Sequence, residues 1–294
     1  MTYNFEVKGK SFVIGRRPWL MGVLNVTPDS FFDGGRYFSV EKAVARGLEL
    51  VSQGIDILDI GGESSRPGSN PISAKEEMER VLPVIRGLRP RVSCLLSIDT
   101  TKALVARAAL AEGVEIINDI SALRFDQEMV KVAAESRAGV VLMHMKGTPQ
   151  TMQINPYYED VIAEISGFFR ERMDYVREKG IPAERIILDP GIGFGKRLED
   201  NLRLINELDS FLSFQRPLLV GISRKSFIGQ ILNLPAEERL EGTVASAVIS
   251  LMRGAAILRV HDPQAVSRAI RVAEAIISTQ QTSSPPTKSM DHVH

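Results

Sequence analysis

WLMGVLNV (residues 19–26) is the first of eight short apolar runs in this chain, and the number of these runs decides the fold. The other seven follow at regular intervals: IDILDI (55–60), VSCLLSI (92–98), VEIIN (114–118), GVVLMH (139–144), RIIL (185–188), PLLVGI (217–222) and AAILRV (255–260). Each run is rich in leucine or β-branched residues and is bounded by glycine, proline or polar residues. This pattern is typical of parallel strands that are buried on both faces.

Amphipathic stretches separate the apolar runs, as at residues 40–53 and 74–88. In the first stretch, one helical face collects Ala43, Gly47, Leu50 and Val51. Strand and helix therefore alternate eight times, at roughly 34 residues per unit, which predicts an α/β fold of one (β/α)8 TIM barrel. A doubly wound open sheet can use the same units, but eight units without a second domain favour a closed barrel.

The two ends of the chain differ from this repeating middle part. Residues 1–15 alternate apolar and polar side chains around Gly9, which predicts a short N-terminal β-hairpin that caps the barrel. The barrel domain is expected over residues 16–278. Residues 279–294 are polar and rich in proline and serine, so we expect a disordered C-terminal tail.

The composition excludes several classes of partner. Lys plus Arg and Asp plus Glu number 36 each, so no net field favours a nucleic acid or an anionic membrane. Cys94 is the only cysteine and cannot form an internal disulfide, which fits a reducing compartment. No apolar stretch is long enough to cross a membrane, and no signal-peptide pattern opens the chain. We therefore expect a cytoplasmic protein without nucleic-acid or membrane partners.

Polar side chains stand where several predicted strands end. In a barrel these ends meet at one rim, where active sites are built. Asp99, Asn118 and Asp189 follow strands three, four and six. Buried carboxylates are costly without hydrogen-bond donors, so a flat heteroaromatic ring rich in N–H groups suits them, and Lys225 can donate to a carbonyl of that ring. The alternative is that Asp99 and Asp189 only pair with Lys or Arg across the barrel mouth.

A second set of rim residues is basic or hydroxylic. It comprises Thr27, Ser65, Arg66, Arg259 and His261. Guanidinium groups and hydroxyls suit phosphate oxygens, and Mg²⁺ prefers oxygen ligands that it often shares with a diphosphate. Asn25 can ligate such a metal through its amide oxygen. The set therefore predicts a pyrophosphate site with Mg²⁺, although any one of these arginines taken alone is better explained as a surface ion pair.

The sequence resembles the dihydropteroate synthases over roughly residues 15–275. The matching strings, in chain order, are MGVLNVTPDSFFDGG (21–35), DIGGESSRPG (59–68), SIDTTK (97–102), INDIS (117–121), LMHMKGTPQTM (142–152), LDPGIGFGK (188–196), PLLVGISRKSFIGQ (217–230) and RVHD (259–262). Departures are mild: Ser65 stands where threonine is common, and Ile192 replaces a frequent phenylalanine.

The resemblance implies a reaction of folate synthesis. In this family p-aminobenzoate displaces pyrophosphate from 6-hydroxymethyl-7,8-dihydropterin pyrophosphate, with Mg²⁺, and the enzymes are homodimers. The amine is the nucleophile, so no nucleophilic side chain is needed, and the protein has to align the amine and stabilise the leaving charge. We expect pyrophosphate to leave early, giving a cation-like methylene whose charge Asp99 offsets.

The resemblance also implies the role of each matching residue. The pterin ring is held by Asp99, Asn118, Met143, Asp189, Phe194, Lys225 and Arg259. The pyrophosphate and its metal are held by Asn25, Arg66, Arg259 and His261. The p-aminobenzoate site is shaped by Phe31, Ser65, Pro67, Lys225 and Ser226. Catalysis is assigned to Asp99, Lys225, Arg259 and His261. Loops 26–37 and 61–71 are expected to close over the diphosphate.

Two other readings of these motifs remain. A methyltetrahydrofolate-dependent methyltransferase shares the Asp–Asn–Asp ring pocket but has no use for a pyrophosphate clamp, so SSRPG, SRKS and RVH disfavour it. A non-catalytic pterin-binding paralogue is expected to lack loop residues, whereas Asn25, Arg66, Lys225, Arg259 and His261 are all present.

Overall fold

The computed structural model describes residues 1–27, 32–33, 37–65 and 68–278. The predicted disordered tail, residues 279–294, lies outside the described residues. Among the described residues, no helix combines the length and the apolarity that a bilayer crossing requires.

The predicted barrel is confirmed. Its eight strands are β3 (Trp19–Asn25), β6 (Ile57–Gly61), β7 (Leu95–Asp99), β8 (Ile116–Asp119), β9 (Gly139–Met143), β10 (Ile186–Asp189), β11 (Leu219–Gly221) and β12 (Ile257–Val260). All neighbouring pairs are parallel, in the order β10-β9-β8-β7-β6-β3-β12-β11. A parallel bridge between Leu188 and Leu218 joins the two ends of this sheet. The sheet therefore closes on itself, and the open doubly wound alternative is wrong.

The remaining strands form two small antiparallel pairs. The predicted N-terminal hairpin is present as β1 (Tyr3–Val7) and β2 (Lys10–Ile14). The pair β4 (Phe32–Asp33) and β5 (Tyr37–Phe38) follows the first barrel strand.

Nine α-helices are described, of which eight lie between barrel strands and the last follows β12. They are α1 (Val40–Ser52), α2 (Ala74–Leu88), α3 (Ala103–Ala111), α4 (Met129–Ser136), α5 (Val161–Glu178), α6 (Leu198–Asn206), α7 (Ser226–Leu232), α8 (Leu240–Met252) and α9 (Pro263–Ser278). The helix expected at 74–88 has these bounds in the structure, and the one expected at 40–53 ends one residue earlier. Two helices rather than one follow β11, a difference that the repeating pattern did not predict.

Local capping explains where several helices begin. The Ser39 hydroxyl accepts a hydrogen bond from the backbone N–H of Lys42 (3.2 Å), and Ser73 does the same for Glu76 (3.1 Å). Such caps satisfy N–H groups that have no partner within the helix. Helices α1 and α2 are therefore positioned by the short polar residues that precede them.

Side chains of the barrel strands alternate between the interior and the helices. One residue from each strand forms an apolar floor inside the barrel: Met21, Ile57, Leu95, Ile116, Val141, Ile187, Leu219 and Ile257. The intervening residues, such as Leu58, Leu96 and Val140, belong to the larger core between strands and helices. Because the strand period is two, the inward residue above each floor residue lies two positions later in the chain.

The hairpin covers this floor from below. Its buried side chains Tyr3, Phe5, Val7 and Ile14 belong to the same apolar cluster as the floor residues. Phe5 is fully buried, and its ring lies so close to Gly139 that a Cβ there would clash with it. The polar chemistry is thereby confined to the opposite, C-terminal mouth of the barrel.

Replacing Phe5 by alanine is expected to lower the free energy of unfolding by about 3 kcal/mol, because it removes a buried ring and leaves a cavity. The measurement is urea unfolding followed by circular dichroism. Val13→Ala is the matched control in the same hairpin, since Val13 is 46% exposed; we expect it to change stability by less than about 0.5 kcal/mol. Equal effects of the two changes would contradict a stabilising role for the packing of Phe5 against the barrel floor.

Candidate active site

The inward residues above the apolar floor are mostly polar. Two positions after the floor residues stand Val23, Asp59, Ser97, Asn118, Met143, Asp189, Gly221 and Arg259. Asp99 follows Ser97 by two further positions, at the end of β7. The strand period alone therefore brings these side chains into one layer at the barrel mouth.

A cavity opens from this layer to solvent. It is lined by Ser65, Asp99, Asn118, Ile120, Met143, Asp189, Gly191, Ile192, Phe194, Gly221, Lys225 and Arg259. All seven residues of the expected ring pocket are in this set. Asp189 and Arg259 share the cavity, so the acidic and basic sets open onto the same end of the barrel.

Arg259 is the cation at the centre of the cavity. Its Nε donates to Asp59 Oδ2 and its Nη2 to Asp99 Oδ2, both at 2.7 Å. The alternative in which Asp99 pairs with an arginine is therefore realised, and the partner is a residue of the basic set. The guanidinium ties the carboxylates of two neighbouring strands to a third strand.

Asp59 is a site residue that the sequence reasoning missed. Its side chain is fully buried, and Oδ2 also accepts a hydrogen bond from Asn118 Nδ2 (2.9 Å). Within the described residues Asp59 Oδ1 has no hydrogen-bond partner. The signal was available, because Asp59 stands two positions after Ile57 in the run IDILDI, and a buried carboxylate needs donors.

Asp189 and Lys225 lie on the other side of the cavity. Asp189 is 5% exposed, and its Oδ1 accepts from the backbone N–H of Gly191 at 2.7 Å. Lys225 Nζ lies 4.1 Å from the centre of the Phe194 ring, a cation–π contact. One wall thus presents an acceptor, a cation and an aromatic face next to each other.

Burial shifts the pKa values of the titratable groups that line the cavity. Loss of hydration raises the pKa of Asp99 to about 7, with Asp59 adding to the rise and Arg259 opposing it. The pKa of Asp189 rises to about 6 for the same first reason, opposed by the hydrogen bond from Gly191. Burial and the nearby Arg259 lower the pKa of Lys225 to about 8. Groups with shifted pKa values that converge in a cleft mark a candidate active site.

His261 follows the last strand and is held by Ser223. The backbone N–H of His261 donates to Ser223 Oγ (3.2 Å), and its ring Nδ1 lies 3.0 Å from the same oxygen. Burial, together with Arg259, lowers the pKa of His261 to about 4, so its imidazole is neutral at neutral pH. Ser223 belongs to the SRKS string but was not singled out from the sequence.

The structure does not bring every expected residue to the cavity wall. Asn25, Thr27 and His261 lie at or beyond the ends of β3 and β12, next to the strands that carry the wall. Ser226, expected near p-aminobenzoate, is exposed at the first position of α7 and is absent from the cavity lining. Phe31, Arg66 and Pro67 lie outside the described residues.

The described residues contain no group of three or more His, Cys, Asp or Glu side chains arranged for a metal ion. Asn25 remains as an oxygen donor at the end of β3. Mg²⁺ is commonly held by one or two protein oxygens, substrate phosphates and waters, so a single amide oxygen fits a metal that arrives with a diphosphate. It does not fit a metal caged by protein ligands alone.

Comparisons with known proteins agree with this geometry. Residues 21–261 match the model of the family described as "Pterin binding enzyme". A dihydropteroate synthase of Synechocystis is 47% identical over 263 residues, covering 89% of this chain and 91% of that protein.

Solved structures are also similar over nearly the whole chain. A Yersinia pestis dihydropteroate synthase, solved with a sulfonamide drug complex, is 42% identical with a TM-score of 0.88, and the match covers 94% of this chain and 99% of that one. The Xanthomonas albilineans enzyme, solved with 4-aminobenzoic acid, is 41% identical with a TM-score of 0.88, and the match covers 97% of this chain and 100% of that one.

A closed (β/α)8 barrel whose mouth carries this cavity, together with the family match over residues 21–261, defines a barrel enzyme of the pterin-binding class. Within that class the chain belongs to the dihydropteroate synthase family, whose members are transferases of folate synthesis.

Proposed function

We propose that this chain joins p-aminobenzoate to 6-hydroxymethyl-7,8-dihydropterin pyrophosphate, giving 7,8-dihydropteroate and pyrophosphate. The observation that carries the proposal is the single cavity in which Asp99, Asn118 and Asp189 lie beside the cations Lys225 and Arg259. An array of acceptors next to cations suits a substrate with a nitrogen-rich ring at one end and a diphosphate at the other.

The ring half of the substrate is assigned to the inner part of the cavity. Asp189 and Asn118 offer oxygen acceptors to ring N–H groups, which would offset the cost of burying the Asp189 carboxylate. The Lys225 ammonium would donate to the ring carbonyl. Met143 and Phe194 supply apolar faces on which a flat ring can pack.

The diphosphate half is assigned to Arg259 and His261, with Thr27, Ser65 and Arg66 as further donors. Ser223 accepts from the backbone of His261, so its own hydroxyl proton can go to Nδ1, leaving the ring proton on Nε2 as a donor. A Mg²⁺ ion held by Asn25 and the diphosphate would neutralise charge on the leaving group.

The chemical step exchanges one bond for another at the pterin methylene. The amine nitrogen of p-aminobenzoate forms a bond to this carbon, the carbon–oxygen bond to pyrophosphate breaks with its electron pair passing to the leaving oxygen, and the amine loses a proton to solvent water. Arg259 and His261 would stabilise the charge that develops on the leaving oxygen. Asp99, ionised, would offset the positive charge that spreads from the methylene into the ring.

The second substrate is assigned to the outer part of the same mouth. Ser65 and Lys225 line the cavity, and Ser226 is exposed at the start of α7. Together with Phe31 and Pro67, these residues would hold p-aminobenzoate with its amine facing the methylene. Alignment of this kind supplies much of the rate gain when the nucleophile is already adequate.

Pyrophosphate release tests the proposed reaction. It is measured with 6-hydroxymethyl-7,8-dihydropterin pyrophosphate while p-aminobenzoate and Mg²⁺ are each supplied or withheld. We expect sustained release only when both are present. No release by folded protein that still binds 6-hydroxymethylpterin would instead identify a non-catalytic pterin-binding protein.

The ionisation of Asp99 and Lys225 predicts a narrow pH optimum for kcat/KM, which reports the free enzyme. Activity needs Asp99 ionised, so it should fall below pH 7, and it needs Lys225 protonated, so it should fall above pH 8. Lys225→Arg should move only the alkaline limb, to above pH 9, because a guanidinium keeps its proton. Lys131→Arg, at an exposed position of α4, is the control. A profile that stays flat from pH 6 to 9 would exclude these two groups.

We propose that the chain forms a homodimer through α8 and α9. Helix α8 is mostly apolar, yet its buried residues are only Thr243, Ala247 and Ser250. Met252 of α8 is 66% exposed, and Val272 of the adjacent α9 is 62% exposed. Exposed apolar side chains grouped in this way mark an interaction surface, so a second copy is the expected cover.

Light scattering coupled to size exclusion tests the dimer. The unmodified chain is expected to elute at twice its mass of 32.4 kDa, and Met252→Glu at the monomer mass. Leu104→Glu, at an exposed position of α3 (64% exposed), is the control and should remain dimeric. A monomeric unmodified chain at tens of micromolar would contradict the proposal.

A further inference from the structure

The connection between β10 and α6, residues 190–196, forms one wall of the cavity and carries Phe194. Gly191 and Gly195 have positive φ angles of 69° and 63°. A Cβ on Gly191 would clash with the carbonyl oxygen of His144, and one on Gly195 with that of Lys146. The turn therefore lies backbone against backbone on the connection that follows β9, a contact that only glycine permits.

Lys196 ends this turn and points back beneath it. Its side chain is buried, 3% exposed. The ammonium donates to the carbonyl oxygens of Gly191 (2.9 Å), Phe194 (3.0 Å) and His144 (3.4 Å), and lies 3.1 Å from His144 Nδ1. One cation thus holds two carbonyl oxygens of the turn and two acceptors of the neighbouring connection.

The contact with His144 defines the state of that imidazole. Burial, with Lys196 as the next contributor, lowers the pKa of His144 to about 2, so the ring is neutral. Burial lowers the pKa of Lys196 to about 7. In its protonated form the ammonium can only donate, so Nδ1 then accepts and the ring proton sits on Nε2. The ring is also packed edge-on against Phe168, with centroids 4.9 Å apart. The His144 ring beneath the turn is therefore held by both Lys196 and Phe168.

Other side chains hold two further carbonyl oxygens of the turn. Tyr158 donates its hydroxyl to Gly195 (2.7 Å), and Gln153 donates its amide to Gly193 (3.0 Å). On the cavity side, a Cβ on Gly193 would lie only 3.1 Å from Cδ of Lys225. The turn thus supports Lys225 as well as Phe194, and both are assigned to the pterin ring.

We propose that Lys196 is the positioning residue of the ring half of the site: it clamps the turn at 190–196 and so fixes Phe194 and Lys225 for the pterin. It lies behind the turn and does not line the cavity. This inference rests on the proposed function. Loss of the clamp should weaken ring binding more than p-aminobenzoate binding, because Phe194 and Lys225 are both assigned to the ring, whereas of these two only Lys225 is assigned to p-aminobenzoate.

The test uses Lys196→Met and measures two quantities on folded protein. The Kd of 6-hydroxymethylpterin, by calorimetry, is expected to rise at least about tenfold, the equivalent of about 1.4 kcal/mol. The KM of p-aminobenzoate is expected to rise less than this Kd, because Lys225 is the one residue assigned to both sites. Lys179→Met, at an exposed position, is the control. A purely structural role would lower the melting temperature and leave both constants of the folded protein unchanged.

Two further variants keep the test decisive if Lys196→Met does not fold. Lys196→Gln keeps two N–H donors and should give an intermediate Kd, and Tyr158→Phe, which frees only the Gly195 carbonyl, should give a smaller rise. In ¹⁵N spectra of the unmodified chain His144 should show its proton mainly on Nε2. This preference should weaken in Lys196→Gln, because the amide oxygen can also accept a proton from Nδ1. Ring binding within twofold of normal in both variants would overturn the inference, whereas an unmodified chain that fails to bind the pterin would contradict the proposed function instead.

Discussion

Replacing Arg259 by methionine is expected to lower kcat/KM by about three orders of magnitude. The change removes the cation assigned to the leaving pyrophosphate, and loss of one such preorganised donor commonly costs 100- to 1000-fold. It also leaves Asp59 and Asp99, each 2.7 Å from this guanidinium, without their shared counter-ion. An uncompensated buried charge adds a cost in stability of several kcal/mol.

The measurement is steady-state pyrophosphate release, with circular dichroism to verify folding. Arg107→Met is the control: Arg107 forms an exposed ion pair with Glu135 (3.7 Å) on the outer helices, and we expect less than a twofold change. Arg259→Lys should recover only part of the activity, because it keeps the charge but loses the guanidinium that donates to Asp59 and Asp99 at the same time. A loss of less than tenfold in Arg259→Met would rule out Arg259 as the main support of the leaving group.

Asp99→Asn is the second large effect, and it separates turnover from binding. We expect kcat to fall about 100-fold, because the amide cannot offset a cation-like methylene. The Kd of 6-hydroxymethylpterin should change by less than about threefold, since asparagine keeps the shape and one acceptor oxygen of the side chain.

Single-turnover kinetics and calorimetry measure these two quantities separately. Asp174→Asn, an exposed position on α5, serves as the control and should leave both unchanged. Equal losses in turnover and in pterin binding would show that Asp99 acts only as a ring ligand. The positive charge that early departure of pyrophosphate leaves on the methylene would then not be offset by Asp99.

The barrel could be predicted from the sequence because its signal is repeated. Each buried strand is a short apolar run between polar boundaries. Misplacing the boundaries of one run does not change the number of runs. The second helix after β11 could not be predicted in this way. Helix α8 (LEGTVASAVISLM) lacks the one-sided apolar stripe that marked α1, so the pattern did not separate it from its surroundings.

The candidate site was predictable where a polar residue ends a strand, as at Asp99 and Asn118. Asp59 was missed because it precedes the strand end and lies inside an apolar run. Only the two-residue period of the strand shows that its side chain faces the barrel interior. Asp119 illustrates the converse. It is fully buried at a strand end, but it accepts hydrogen bonds from the backbone N–H groups of Ser121 (2.7 Å) and Leu123 (3.1 Å), so it shapes the following turn.

Contacts that depend on the packing of loops could not be read from sequence at all. The string GIGFGK does not reveal the contacts of its lysine, whereas in the structure Lys196 donates to the carbonyl oxygens of Gly191 and Phe194 in the same segment. In the same way the neutral state of His261 follows first from its burial and then from Arg259, and the burial arises only in the folded chain.

A crystal structure of the chain with 6-hydroxymethylpterin and pyrophosphate tests the central claim most directly. We expect the ring within hydrogen-bond distance of Asp189 and Asn118, with the diphosphate at Arg259 and His261 in the same barrel mouth. A ring bound outside this cavity, or a diphosphate bound away from Arg259, would contradict the account.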